Sequence, residues 1–171
     1  MTLYETLQYL SYKWKAKGRH GIHSPFVYAF VEQIALKSGD SESLIKNIVA
    51  YFSFQDAGAY IITPTGEWSM VSSFPTDIEH DVSKKHEMNF ARLYIVDSMP
   101  ILSSSTDHIL QQMLPDDVMI TRQLHTSPYS TSQWEQIKAH KNVKISLDLF
   151  DTGIVLFKNE FKEKQHFILK Y

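Results

Sequence analysis

Acids and histidines are the residues that could carry chemistry in this chain, because its 171 residues include eight histidines and no cysteine. The lack of cysteine excludes disulfides, thiolate metal sites and cysteine nucleophiles. The densest group of possible ligands is Glu79-His80-Asp81 with His86. Its spacing matches no zinc motif, so the sequence predicts a solvated polar connection there and no metal site.

Asp97 could carry either a chemical or a structural role. It directly follows the apolar run Leu93–Val96. Asp97 could serve as a catalytic base or a metal ligand, or it could cap the turn at Ser98. The capping role is the simpler interpretation and the one that we favour.

Other familiar signatures do not occur in the sequence. It contains no serine nucleophile elbow, no P-loop and no G-x-G-x-x-G fingerprint. Four basic residues near the N-terminus could bind phosphate or RNA: Lys13, Lys15, Lys17 and Arg19. The net charge of -2 supplies no general attraction to nucleic acid, and basic residues at a helix C-terminus ordinarily compensate the helix dipole. Nucleic-acid binding is therefore not expected.

The composition indicates a globular chain of one domain, or of one domain with an appended arm. A hydrophobic fraction of 43% with 21% charged residues excludes bulk disorder. No apolar run approaches the ~20 residues of a membrane-spanning helix, and the first residues lack the order of charges found in a signal peptide. We expect a cytoplasmic protein that does not bind membranes.

Three helices are predicted in the first third of the chain. The first carries an apolar stripe of Leu3, Leu7, Leu10 and Trp14, called the Leu/Trp stripe below, and ends near Gly18. Ser24 and Pro25 are a favourable N-cap and first residue for the second helix. A third helix follows the break at residues 38–41.

A different pattern begins after residue 55. Short apolar runs at 59–62, 93–96 and 118–120 predict neighbouring parallel strands buried on both faces. Helical stretches at 106–114 and 130–140 separate strands, residues 143–149 and 153–158 predict an antiparallel hairpin, and residues 165–171 a last edge strand. The expected fold is α/β, with a helical arm and cap at 1–54 and an α/β domain at 55–171.

Both ends of the chain resemble a group of S-adenosylmethionine (SAM)-dependent class I methyltransferases from Bacteroidetes-type bacteria. The resemblance is carried by residues 17–28 (KGRHGIHSPFVY), by 134–138 (WEQIK) and by the segments 143–150, 153–157 and 165–167. It implies a Rossmann-like sandwich with an N-terminal helical arm and a C-terminal antiparallel hairpin. An apparent gap between residues 68 and 90 would remove one strand–helix unit.

The resemblance also implies where a cofactor site would lie. It places Thr65, Gly66 and Asp97 at vestigial cofactor positions, and Asp97 and His125 at catalytic positions. In such enzymes an acidic residue ends the first strand and a glycine-rich turn follows. Three residues depart from that pattern: Ile62 stands at the acidic position, and Pro64 and Trp68 stand where glycines belong. Arg122 and Gln123 likewise replace a pair of acids, which leaves few oxygen ligands for a cation.

These departures predict a degenerate methyltransferase-like protein that binds no cofactor and acts as a binding or scaffold protein. The alternative is an active small-molecule or O-methyltransferase with an atypical SAM pocket. The Leu/Trp stripe predicts burial of the first helix against the body of the protein or against a second copy. A homodimer through that helix is the expected assembly.

Overall fold

The computed structural model describes residues 1–18, 22–34, 37–52, 59–62, 68–71, 93–96, 107 and 110–170. Within these ranges the helices are α1 (Leu3–Lys15), α2 (Pro25–Gln33), α3 (Ser41–Phe52) and α4 (Pro128–Ala139). The strands are β1 (Ala59–Ile62), β2 (Trp68–Val71), β3 (Leu93–Val96), β4 (Val118–Arg122), β5 (Ile145–Asp148), β6 (Thr152–Leu156) and β7 (Gln165–Ile168). No helix in the described ranges is long and apolar enough to cross a membrane.

Side-chain caps begin α1 and α2, and the start predicted for α2 at Ser24 and Pro25 is confirmed. At α1, Thr2 accepts from the backbone N–H of Glu5, whose carboxylate accepts in turn from the Thr2 N–H, which forms a capping box. At α2, the Ser24 hydroxyl accepts from the Val27 N–H, and Pro25 occupies the first turn. These contacts satisfy N–H groups that have no partner inside the helix, so local sequence is sufficient to begin both helices.

The strands of the described residues form one sheet in the order β2-β1-β3-β4-β6-β5-β7. β1, β3 and β4 are parallel neighbours, as predicted. The predicted hairpin is also confirmed, since β5 pairs antiparallel with β6. β6 lies between β4 and β5 and is antiparallel to both, while β7 is the edge strand and runs parallel to β5. The predicted α/β class is thus observed as a mixed sheet with helices.

β2 was not predicted. The resemblance assigned Trp68 to a turn, and that assignment is wrong, because Trp68 is the first residue of a strand. β2 pairs antiparallel with β1, with Ile62 opposite Trp68 and Ala59 opposite Val71. The chain therefore returns along β1 after residues 63–67.

The core lies on both faces of the sheet. On one face, Leu93 and Ile95 of β3 belong to a buried cluster with residues of α2 and α3, including Phe30 and Ile48. On the other face, Tyr94 and Val96 share a cluster with residues of α4. The alternation of β3 between the two clusters follows from the two-residue period of a strand. The N-terminal helices and the sheet thus share one packed core.

The face of α1 that packs on the body differs from the predicted one. The members of the Leu/Trp stripe are exposed, Leu3 by 78%, Leu7 by 58%, Leu10 by 61% and Trp14 by 92%. Burial of this stripe against the body is therefore wrong. Tyr12, on the opposite side of the helix, is buried instead.

Candidate functional site

Five strands, β1, β3, β4, β5 and β7, run in one direction and end together at one edge of the sheet, called the carboxyl edge below. β4 and β5 are both antiparallel to β6, so they run in the same direction, and β7 is parallel to β5. His125 follows the end of β4, and Asp148 is the last residue of β5. The topology therefore brings an imidazole and a carboxylate to the edge where open α/β sheets bind ligands.

His125 and Asp148 form a buried pair. Nε2 of His125 lies 2.9 Å from Oδ2 of Asp148, and the side chains are 11% and 8% exposed. Two further groups donate to the carboxylate: the Trp134 indole N–H to Oδ2 at 3.1 Å and the Phe150 backbone N–H to Oδ1 at 2.9 Å. Both oxygens of Asp148 therefore accept hydrogen bonds from the protein, as a buried carboxylate requires.

The second nitrogen of His125 connects the pair to α1. Nδ1 lies 3.4 Å from Oγ1 of Thr131, on α4. The Tyr4 hydroxyl donates to the same oxygen at 2.9 Å, and the Thr131 hydroxyl donates to the Leu124 carbonyl at 3.3 Å. A continuous chain of contacts, called the His125 network below, thus runs through Tyr4, Thr131, His125, Asp148 and Trp134.

Aromatic rings cover the same region. Phe150 stacks on His125 with ring centroids 5.4 Å apart. Two tyrosines of α1 also pack on Phe150, with ring centroids at 5.0 Å for Tyr9 and 5.3 Å for Tyr12. The Tyr12 hydroxyl also donates to the Leu169 carbonyl. Helix α1 therefore lies across the carboxyl edge of β4, β5 and β7.

The backbone at this edge adopts an unusual conformation. Gln123 and Phe150 have positive φ values of 60° and 73°, and neither is glycine. Such residues cost on the order of 1–3 kcal/mol each and persist where the surrounding structure holds them. Gln123 turns the chain between β4 and His125, and Phe150 turns it just after Asp148. The two strained turns accompany the meeting of the imidazole and the carboxylate.

The order carboxylate, imidazole, hydroxyl invites comparison with a catalytic triad. In a triad the hydroxyl gives its proton to the imidazole and attacks a substrate. Here the Thr131 hydroxyl donates to the Leu124 carbonyl and accepts from Tyr4. Both nitrogens of His125 have partners within the protein and its ring stacks on Phe150, so these contacts connect α1 to the ends of β4 and β5.

The site residues expected from the sequence are only partly described. His125 is at the carboxyl edge, as the resemblance implied. Thr65, Gly66 and Asp97 lie outside the described residues. Asp148 was missed, because the alternation along residues 143–149 predicted a strand and nothing about the partners of its polar residues. All four residues of β5 are buried, since buried apolar clusters lie on both faces of the sheet.

A cleft of about 370 Å³ lies at the opposite edge of the sheet. Its walls include Pro115 before β4, Lys144 before β5 and Phe157 after β6. Since β6 runs antiparallel to the other two strands, all three residues lie at the amino edge. This cleft is therefore remote from the His125 network and from the positions that a class I cofactor site would use.

Two histidines elsewhere have perturbed ionisation. Burial lowers the pKa of His140, and the attraction of Asp107 only partly opposes it. His166 is exposed on the edge strand β7, but partial desolvation of its ring lowers its pKa, with Lys138 and Lys164 adding to the effect. His166 Nδ1 lies 2.6 Å from the Ser146 hydroxyl oxygen. Among the residues that the structure describes, no three His, Asp or Glu side chains are grouped as a metal site would need.

Comparison with known proteins adds no relative. No protein-family model, no curated protein and no solved structure matches this chain. The resemblance to SAM-dependent methyltransferases rests on the sequence segments quoted above.

Proposed function

We propose that this protein is a degenerate, class I methyltransferase-like protein that binds no SAM and acts as a binding or scaffold protein. The observation that carries the proposal is the element that follows β1. Residues 63–67 lead to β2, which pairs antiparallel with β1 over four residues. The first strand is therefore followed by another strand of the same sheet.

A nucleotide cofactor needs a different element at that point. In dinucleotide-binding α/β sheets, the first strand leads through a glycine-rich turn into a helix, whose free N–H groups face the ligand. In the antiparallel pair of β1 and β2, backbone N–H groups of each strand donate hydrogen bonds to carbonyls of the other. β2 therefore offers no helix N-terminus to a cofactor.

The residues at the end of β1 support the same conclusion. Ile62 ends β1 opposite Trp68 and supplies no carboxylate, and Pro64 lacks a backbone donor. A charge-assisted hydrogen bond contributes about 1.5–3 kcal/mol, so the loss of one carboxylate weakens binding roughly ten- to a hundredfold. We therefore expect SAM to bind weakly or not at all.

The sheet supports the methyltransferase-like part of the proposal. Parallel strands β1, β3 and β4 continue into the antiparallel β5–β6 hairpin within one sheet, which is the layout that the resemblance implies. On the C-terminal side, α1 covers the carboxyl edge, and the polar atoms of the His125 network bond to one another. Those groups serve the positioning of α1, which suits a scaffold. The absence of cysteine fits the proposed cytoplasmic location.

Calorimetric titration of the full chain with SAM and with S-adenosylhomocysteine tests the proposal. We expect no heat of binding at micromolar ligand, and no transfer of a labelled methyl group to small-molecule acceptors. Micromolar binding of either ligand would overturn the proposal. If Asp97→Ala then abolished that binding and Asp116→Ala did not, the active methyltransferase would be the better description.

A further inference from the structure

We propose that α1 is a dimerisation helix, and that two copies of this chain pair antiparallel through the Leu/Trp stripe. This inference rests on the proposed scaffold role and names a second copy of the chain as the binding partner. Its tests measure assembly without SAM, so a failure here and a failure of the proposed function are distinguishable.

The outer face of α1 exposes apolar side chains that a lone chain ordinarily buries. Among the large apolar side chains described as exposed, those on α1 include the three leucines and Trp14, and Trp14 is the most exposed of all at 92%. Contiguous exposed apolar surface of this kind marks an interaction site. The inner face of α1 is already occupied by its contacts with the body.

The spacing of the Leu/Trp stripe favours another helix as the element that packs on it. Its steps of four, three and four residues confine it to a sector of roughly 60° on a helix that turns about 100° per residue. A seam that narrow is typical of helix–helix pairing, whereas a helix that lies in a membrane surface presents a broader apolar face.

The same spacing makes the stripe self-complementary. The steps read the same in both directions, so a two-fold axis between residues 8 and 9 places Leu7 opposite Leu10 of the other copy. It also places Leu3 opposite Trp14 of the other copy. A two-fold dimer requires this kind of self-complementary patch, and the sequence of α1 supplies it without any second surface.

Charge selects the antiparallel direction. Lys13 and Lys15 lie in the last turn of α1 and Lys17 lies just beyond it, whereas the acidic Glu5 is engaged in the capping box. A parallel pair would bring the lysines of both copies together at one end. An antiparallel pair separates them by the length of the helix, about 20 Å, which exceeds the screening distance of roughly 8 Å in physiological salt.

The area fits a weak dimer. Trp14 and the three leucines present roughly 500 Å² per copy, since a single aromatic side chain accounts for about 150–250 Å². Two copies would bury at most about 1,000 Å², which reaches the threshold of a biological interface and lies below the ~1,200 Å² of stable ones. Because α1 is already held by Tyr4, Tyr12 and Lys17, pairing orders little additional chain.

Sedimentation equilibrium of the full chain tests the assembly. We expect a concentration-dependent dimer that Leu7→Glu converts to monomer. Leu114→Glu, which changes an exposed leucine outside α1, should leave the dimer intact. A monomer at several hundred micromolar, or a dimer that survives Leu7→Glu, would overturn the proposal. Binding of the wild-type monomer to anionic vesicles would assign the stripe to a lipid surface instead.

Cysteine cross-linking tests the direction, because the natural chain has no cysteine. We expect an oxidised mixture of Leu3→Cys and Trp14→Cys chains to give a covalent mixed dimer. Each variant alone should give little, since like positions lie at opposite ends of an antiparallel pair. Strong self-cross-linking of Leu3→Cys would show a parallel pair and overturn the antiparallel arrangement.

Discussion

The two halves of the carboxyl edge differ in the path that the chain takes beyond each strand. After β4 and β5 the chain makes two strained turns and assembles the His125 network under α1. After β1 it returns as β2. In an α/β enzyme, ligands bind across such an edge. Here the polar side chains beyond β4 and β5 hydrogen-bond to one another, and the end of β1 leads to another strand of the sheet, β2. A buried histidine–carboxylate pair at a sheet edge can therefore serve to position a helix.

Removal of the Asp148 carboxylate should give the largest loss of stability, because it disrupts the His125 network beyond β4 and β5. Asp148→Ala leaves His125, Trp134 and the Phe150 N–H without their acceptor, so we expect a loss of about 3–5 kcal/mol in the free energy of unfolding. Urea denaturation measures it. Asp148→Asn should lose less, about 1–3 kcal/mol, and Asp116→Asn, on an exposed side chain, should be neutral. Equal effects of Asp148→Ala and Asp116→Asn would contradict the network.

A glycine beneath Trp134 provides the next test. A methyl group at Gly153 would meet two atoms of the Trp134 ring at 2.8 Å, so Gly153→Ala should destabilise the protein by about 1–3 kcal/mol through overpacking. Thermal unfolding and tryptophan fluorescence measure the change. Gly39→Ala is the matched control, because nothing lies within 4 Å of the added methyl there. Similar losses in both variants would exclude the steric explanation.

Loss of the Tyr4 hydroxyl should give a smaller loss of stability, confined to the attachment of α1 to the rest of the protein. Tyr4→Phe removes the hydroxyl that donates to Thr131, and we expect a loss of about 0.5–1.5 kcal/mol. Hydrogen exchange should show faster opening of α1 with β4 unchanged. Tyr28→Phe, at an exposed ring on α2, should alter neither. Unchanged exchange in α1 after Tyr4→Phe would contradict a positioning role for the network.

The smallest effect concerns pH. Partial desolvation and the nearby Lys138 and Lys164 lower the pKa of His166 below its ordinary value of 6.5, so the unfolded chain binds more protons than the native protein as the pH falls through that value. Stability should therefore decrease on acidification through this window and recover above it. Denaturation midpoints between pH 5 and 8 measure the slope, and His166→Gln should reduce it, with His140, whose pKa is also lowered, supplying part of the remainder. A slope unchanged by that substitution would assign it to other groups.

Local patterns were enough to predict much of the fold. The apolar stripe of α1, the cap formed by Ser24 and Pro25 and the short apolar runs are local signals, and they predicted α1, α2 and the parallel neighbours β1, β3 and β4. β2 escaped prediction because Trp68–Val71 is short and the resemblance assigned its first residue to a turn.

The site was harder to predict for a topological reason. His125 was identified through the resemblance, but its partner Asp148 is 23 residues away in the sequence. The pairing also needs a positive φ at Phe150, which the sequence does not predict because the residue is not glycine. The inward face of α1 was likewise hidden, because both faces of the helix carry large apolar or aromatic side chains. Only the partner surface decides which face is buried.

The hydrogen bonds between the end of α1 and β7 also determine when α1 can dock completely during synthesis of the chain. The Lys17 N–H donates to the Ile168 carbonyl at 2.8 Å, and the Lys170 N–H donates to the Lys17 carbonyl at 3.0 Å. These bonds cannot form until residues 168–170 leave the ribosome, roughly 8–30 s after residue 17 at about 5–20 residues per second. Until then α1 has only its contacts with earlier elements, such as Thr131 and Phe150, and its attachment is completed only when β7 has been synthesised.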